Sequence, residues 1–295
     1  MSTTSTLPSW AADILGSTPA RGDGLNRWLL RGAIALRRCG RDDAEITETL
    51  RAATAAEAIK PGEIERAVVR STQYMTDGSA PAPTRRTWPS MDAALRQRII
   101  DQSGGVGAVD LWERSPSRLV DEGPDAETLI DLLFPGNPLL CCAASVATAA
   151  TMPRTYWRGK LAGLSFIVPS PMTTRTGRTQ DGRKSPRCLG NVGPRKYLVV
   201  EQDAGTRDEQ AAILLHLATK APLVMVLSSG GKSLHGWFSC AGATEDRLRA
   251  FFAYAVRLGA DPSTVTQCQL VRLPEGTRDN GKRQAVYYLN MEVMG

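Results

Sequence analysis

Histidine is almost absent from this chain. His216 and His235 are the only two, and the six cysteines (Cys39, Cys141, Cys142, Cys188, Cys240 and Cys268) contain no C-x-x-C pair. That spacing excludes a conventional zinc module, which needs paired thiols or imidazoles at short intervals. No G-x-S-x-G occurs, so the strained elbow that presents the nucleophile of a Ser-His-Asp hydrolase is missing. Gly231-Lys232-Ser233 looks like the end of a phosphate-binding loop. The first glycine of G-x-x-x-x-G-K-[ST] would however fall at Val226, and a strand pattern follows where a helix is needed. A Walker ATPase is excluded. His235-Gly236-Trp237 lacks the second histidine of the H-x-H motif that a rolling-circle nuclease needs. No stretch of about twenty apolar residues and no signal peptide is found, which predicts a soluble, cytoplasmic protein with reduced cysteines and no membrane partner.

What the chain has is positive charge in particular places. Its 36 Lys and Arg exceed its 30 Asp and Glu, for a formal charge of +6, which suits phosphate polymers. Distribution says more than the sum. From Arg154 to Lys196 there are ten basic residues, with Asp181 as the single acid. Arg154, Trp157 and Arg158 open this stretch, and Tyr156 and Trp157 offer flat faces for base stacking. Arg175, Arg178 and Arg183 occupy a segment, Thr173 to Pro194, that reads either as a solvated loop or as a DNA-binding one.

The last third carries the chemistry. Tyr197-Leu198-Val199-Val200 reads as a buried strand, and positions two apart on a strand face the same way, so Glu201 and Asp203 present their carboxylates to one side. Two hard oxygen donors at a strand end suit Mg²⁺ or Mn²⁺, which keep waters and share a substrate's phosphates. The spacing then predicts a helix over Thr206 to Lys220, a strand over Pro222 to Leu227, a turn over Ser228 to Lys232 and a strand over Ser233 to Cys240. A helix over Glu245 to Leu258 and strands at Gln269 to Leu273 and Gln284 to Leu289 complete the pattern. Ser233, His235 and Trp237 share one strand face, with Leu234 and Phe238 on the other. His216 falls within an apolar helix and reads as packing. The order β-α-β-β-α-β is that of split βαβ, RRM-like sheets, and the fold class is α+β.

At these residues the sequence resembles the catalytic domain of the archaeo-eukaryotic primase superfamily, the primase-polymerases of plasmids, phages and integrated elements. Glu201-Gln202-Asp203 resembles the family's acidic pair, with Glu201 where Asp is usual. Ser233-Leu234-His235 resembles its S-x-H triplet, Asp261 its third acidic position, and Arg272-Leu273-Pro274-Glu275-Gly276-Thr277-Arg278 a basic loop of mobile-element members. The likeness covers Leu161 to Asn290. It implies metal-dependent nucleotidyl transfer to a 3′-hydroxyl on a single-stranded DNA template. Mg²⁺ or Mn²⁺ would be held by Glu201, Asp203 and Asp261, and His235 would contact nucleotide phosphates beside Ser233. Arg272, Arg278, Lys282, Arg283 and Lys232 would neutralise the triphosphate or template. No helicase motif is present, so a separate helicase is implied. The rival reading is a replication-initiation or DNA-binding protein that keeps the fold without metal chemistry.

The N-terminal third reads as a helical module over residues 1–75. Gly22-Asp23-Gly24-Leu25-Asn26 leads into a helix over Arg27 to Cys39, Gly40 stops it, and Asp42-Asp43 caps Ala44 to Ala53. A third helix opens at Pro61-Gly62-Glu63 and ends near Ser71. This pattern is similar to the small helical domain beside many plasmid and phage primases. Residues 76–89 are a linker by composition, and 90–295 form the catalytic domain, with helices expected over Met91 to Ser103 and Asp125 to Phe134. Phe166-Ile167-Val168 is expected as a strand of an additional layer beside the main sheet.

Overall fold

The computed structural model describes residues 7–16, 18, 25–54, 59–72, 88–117 and 125–294. The expected lead-in at Gly22–Gly24 and residues 76–87 of the expected linker lie outside them. The chain divides into two compact units, Met1–Arg86 and Thr87–Gly295.

Unit one is helical: α1 (Ser9–Leu15), α2 (Leu25–Arg38), α3 (Asp43–Ala53) and α4 (Glu63–Thr72). Gly40 ends α2 in the left-handed conformation, at φ 79°, where a glycine meets no Cβ penalty. Asp42 accepts from the Glu45 amide at 2.9 Å while the Glu45 carboxylate accepts from the Asp42 amide at 3.1 Å, a reciprocal cap that starts α3. Leu29, Leu36, Ile46 and Leu50 form its fully buried centre. Gly32 lets α2 and α3 approach, since a Cβ there would meet Leu50 Cδ2 at 2.8 Å. The short α1 had no expectation from spacing; it is tied down by Trp28 Nε1 donating to the Ile14 carbonyl at 2.7 Å.

Unit two opens with α5 (Ala93–Gln102), α6 (Ala108–Glu113) and α7 (Ala126–Leu133). Asp92 and Asp125 cap α5 and α7 with their side chains. Next come β1 (Leu139–Ala143), β2 (Ala150–Pro153), α8 (Arg154–Trp157), β3 (Phe166–Ile167), β4 (Gly177–Arg178) and β5 (Lys184–Ser185). The last segment is β6 (Tyr197–Gln202), α9 (Arg207–Ala218), β7 (Leu223–Ser228), β8 (Leu234–Ser239), α10 (Glu245–Arg257), β9 (Val271–Arg272) and β10 (Val286–Leu289). The fold is mixed α+β, with antiparallel sheets in the orders β2-β1-β3-β9, β10-β7-β8-β6 and β4-β5.

Strand alternation sorts β6 and β8 between two cores. Tyr197, Val199 and Trp237 pack toward the other four-stranded sheet, beside Leu140, Ile167 and Val271. Leu198, Val200, Leu234 and Phe238 pack on the opposite face against Ile213 and Leu214 of α9 and Phe252 and Ala255 of α10. The layers are therefore helices, sheet, sheet. The additional layer expected around Phe166 is present, but the strand expected at Gln269–Leu273 joins that layer through β3 instead of the main sheet.

The main sheet also departs from the RRM-like order. An RRM-like sheet holds its first strand inside, next to its last; here β6 is an edge strand paired only with β8, and β10 pairs with β7. The edge of β6 is partly covered: the Tyr197 amide donates to the Pro169 carbonyl at 3.2 Å and the Asp261 amide to the Glu201 carbonyl at 3.0 Å. Among the described residues no helix is long and apolar enough to cross a membrane.

The close approach of α9 to the sheet depends on Gly236, where a Cβ would meet Leu214 Cδ2 at 2.7 Å and Phe238 Cε2 at 3.1 Å. Gly236→Ala is expected to cost about 1–3 kcal/mol through overpacking, read as a lowered midpoint in urea unfolding. An unchanged midpoint would show that α9 does not rest on this strand.

Candidate functional site

The polar site grows out of the apolar layer between the two sheets. Glu201 lies directly opposite His235 in the β6–β8 ladder, one step beyond the Val199–Trp237 pair. Burial alternates as the spacing predicts: Glu201 and Asp203 are half-buried, while Gln202 between them is fully buried on the other face. The acidic pair therefore shares one face, and Ser233 and His235 share it too.

His235 is 3% exposed, with Nε2 at 3.4 Å from Glu201 Oε1. Beyond that charge contact neither ring nitrogen makes a hydrogen bond among the described residues, nor does the buried Trp237 Nε1 two residues on. The Ser233 hydroxyl donates to Glu201 Oε1 at 3.3 Å. Burial pushes the Glu201 carboxyl up, but the His235 imidazole, the Ser233 hydroxyl and the Arg272 charge together outweigh it and hold the group below its ordinary value. Asp203 pairs with Lys232 Nζ at 3.4 Å, an exposed contact of small energetic weight.

Cations close the site. Arg272, half-buried on β9, lies 4.5 Å over the Phe166 ring. Burial, then Arg278, lower its pKa, and Glu201 raises it; a guanidinium remains charged under such pressure. The Ser228–Lys232 turn packs on the Arg278–Lys282 hairpin: a Cβ on Gly231 would meet Arg278 Nη1 at 2.7 Å, and Gly230 lies against the Lys282 backbone. Glu275 holds the Arg272–Arg278 loop. It is a buried residue at φ 58°, and its carboxylate accepts from the Val286 amide at 2.7 Å and pairs with Arg283. Arg283, exposed on that loop, makes an ion pair with Glu275.

Three expectations are corrected. Arg154 is fully buried and ion-paired with Glu127 at 2.7 Å and Asp131 at 2.8 Å, so it anchors α8 to α7 and is closed to DNA. Trp157 is 6% exposed with its Nε1 donating to the Leu140 carbonyl, a core residue with no free face for a base. Asp261 comes beside the acidic strand through its amide, but its carboxylate accepts from the Ser263 amide and hydroxyl, both at 2.8 Å, and caps the following turn. No three His, Cys, Asp or Glu side chains converge into a metal-holding group among the described residues. Glu201 and Asp203 remain as a two-carboxylate set. That fits a hydrated Mg²⁺ or Mn²⁺, which binds through one or two carboxylates and completes its shell with water and phosphate.

Arg158, Arg175, Arg178 and Arg183 are exposed. Arg178 Nη1 donates to the Gly182 carbonyl, and Arg183 pairs with Asp181 at 2.6 Å, both within the β4–β5 hairpin. His216 packs as expected, with its Nε2 at 2.9 Å from the Tyr254 hydroxyl, and burial lowers its pKa.

Two arginines escaped the sequence reading. Arg207 donates to the Gly231 carbonyl at 2.7 Å and the Tyr287 hydroxyl at 3.2 Å, fixing the glycine turn. Its signal was a cation at a helix N-terminus, where the helix dipole favours acids. Arg96 binds behind the acidic strand. Its signal was a charge on the helix face that Ile99 and Ile100 share at spacings of three and four. No protein-family model, curated protein or solved structure matches the chain.

A depressed carboxyl binds its proton more weakly in the folded chain, so the stability from Glu201 is complete above the ordinary carboxylate range and is lost as pH falls through its folded value. Glu201→Gln is expected to flatten the fall of Tm between about pH 5 and pH 3; matching acid limbs in the two proteins would contradict the pairing. Arg154→Met removes the partner of two acids that are partly open to solvent and is expected to cost about 1–3 kcal/mol through lost charged hydrogen bonds, measured by chemical unfolding, with a cost near zero refuting its anchoring role.

Proposed function

We propose that the cleft binds a nucleoside triphosphate and transfers its nucleotide to a 3′-hydroxyl on a single-stranded DNA template, the reaction class of primase-polymerases. One observation carries the reading. Glu201 faces His235 across the β6–β8 ladder, with Asp203 and Ser233 on the same face and Arg272, Lys232 and Arg278 around them. The reading rests on this site and on the order of elements along the chain, and not on the strand order of the sheet.

Each residue's part follows from its placement. Glu201 and Asp203 would hold Mg²⁺ or Mn²⁺, which supplies activation of the 3′-hydroxyl and charge neutralisation at the pyrophosphate leaving group. Arg272, Arg278, Lys232 and Lys282 bind and orient the triphosphate, the planar guanidinium forks suiting phosphate oxygens. Arg207 holds the Gly230-Gly231 turn in place. His235, buried behind Glu201, orients that carboxylate instead of meeting solvent-facing phosphates. Arg158, Arg175, Arg178 and Arg183 neutralise template phosphates, and duplex opening falls to a separate helicase.

A second reading, a DNA-binding replication-initiation protein without turnover, is favoured by the commitment of the Asp261 carboxylate to Ser263. Labelled nucleotides, a primed single-stranded template and Mn²⁺ or Mg²⁺ separate the two. Extension by the parent protein is expected, with a loss of about 10²-fold or more in Asp203→Asn and DNA retention intact. Retention with no incorporation supports the second reading, and undiminished extension in Asp203→Asn removes this site.

Charge removal at Arg175, Arg178 and Arg183 together is expected to weaken DNA binding and to shallow the dependence of log K on log salt by about 0.7 per lost phosphate contact on single strands. A slope equal to the parent's would take the hairpin out of the DNA path.

A further inference from the structure

One guanidinium sits behind the end of the acidic strand. Arg96, on α5, is 7% exposed. Its Nη1 donates to Gln202 Oε1 at 3.2 Å and to the Leu258 carbonyl at 2.7 Å, and its Nη2 donates to the Ala204 carbonyl at 2.8 Å. Glu209 Oε2 lies 3.8 Å away and balances the charge. These points are not scattered. Gln202 stands between Glu201 and Asp203, Ala204 follows the pair, and Leu258 closes α10 just before the turn to Asp261.

The slot around the guanidinium is built for it. Gly205 and Gly259 both have left-handed backbones, at φ 75° and 96°. A Cβ on the first would meet Arg96 Nη2 at 3.0 Å and on the second Arg96 Nη1 at 3.4 Å. The two turns it spans also touch each other directly, through the Gln202–Ala260 bridge and the Asp261 amide on the Glu201 carbonyl. A lysine at this position offers a point charge without the planar fork that lets two guanidinium nitrogens bond separate partners.

We propose that Arg96 is a positioning residue for the acidic pair: by clamping Gln202, Ala204 and Leu258 from behind, it sets the direction in which Glu201 and Asp203 leave β6 and so tunes their affinity for a divalent cation. The cation part rests on the function proposed above. Partners that orient ligands without touching the metal are worth about 10–100-fold in metal affinity. Glu201 is also braced by His235 and Ser233, while the end of the strand at Asp203 and Ala204 has Arg96 as its interior clamp, so Asp203 is the ligand most dependent on it.

The test uses the full chain with Arg96→Met and Arg96→Lys, and with Asp203→Asn as the site control. Mn²⁺ binding is titrated by electron paramagnetic resonance, folding is read by circular dichroism, and amide exchange is followed by mass spectrometry. In folded Arg96→Met the Mn²⁺ affinity is expected to fall about tenfold or more, with Arg96→Lys between it and the parent. Amides of Gln202–Gly205 and of Asp261 are expected to exchange faster while β7 is unchanged. Affinity within about twofold of the parent in the folded Met variant overturns the proposal, whatever the exchange shows. If Arg96→Met does not fold, Arg96→Lys carries the comparison, a fall beyond about twofold supporting the proposal and affinity within about twofold overturning it. If Asp203→Asn leaves Mn²⁺ binding of the parent untouched, the metal reading of the site falls. Amide exchange then decides Arg96 by itself: faster exchange at both segments supports the clamp, and unchanged exchange overturns it.

Discussion

A strand that begins in the core and ends in two carboxylates must compensate charge at the edge of an apolar layer. Tyr197 to Val200 are almost fully buried, and Glu201 follows them with no intervening turn. Burial of an unpaired carboxylate costs far more than a domain of marginal stability can tolerate. The surroundings of β6 meet that constraint: His235 and Ser233 across the ladder, Arg272 from the second sheet and Lys232 at the rim. Much of the last third is arranged around this one strand end.

The same constraint explains why the site sits between the sheets. Side chains on one face of β6 and β8 pack apolar against β1, β3 and β9 until the Val199–Trp237 pair, and become polar one step later. The change places Glu201 and His235 where solvent screening is reduced and electrostatic contacts are stronger than at a free surface. It also leaves His235 Nδ1 and Trp237 Nε1 without a hydrogen-bond partner among the described residues, a cost that natural cores rarely accept away from functional positions. The left-handed Glu275 is a related case, a strained backbone held by a buried carboxylate in the loop that carries Arg272 and Arg278.

The basic residues separate by what surrounds them. Arg154 and Arg96 are committed to internal partners, and their role is architecture. Arg175, Arg178 and Arg183 stay on the surface of a small hairpin whose own contacts are local. A count of positive charge treats these groups alike, yet the buried ones contribute nothing to a field that a phosphate polymer could feel at close range.

The sequence by itself determined the elements and their faces. Alternation placed Glu201, Asp203, Ser233 and His235 on common faces. Helical spacing found α5, α7, α9 and α10, and the Gly40 stop and Asp42 cap bounded α2 and α3, because these features depend on residues a few positions apart. Tertiary structure decided what those faces meet. It put β6 at the edge and β9 in the other sheet, turned Asp261 into a cap, buried Arg154 and Trp157, brought Arg96 to the site from far along the chain and turned Arg207 onto the Gly231 turn. The physical reason is that an arginine's or aspartate's role is fixed by whichever partner lies within about 3 Å, the reach of a hydrogen bond. For these residues the arrangement of whole layers selects that partner, and local periodicity carries no record of it.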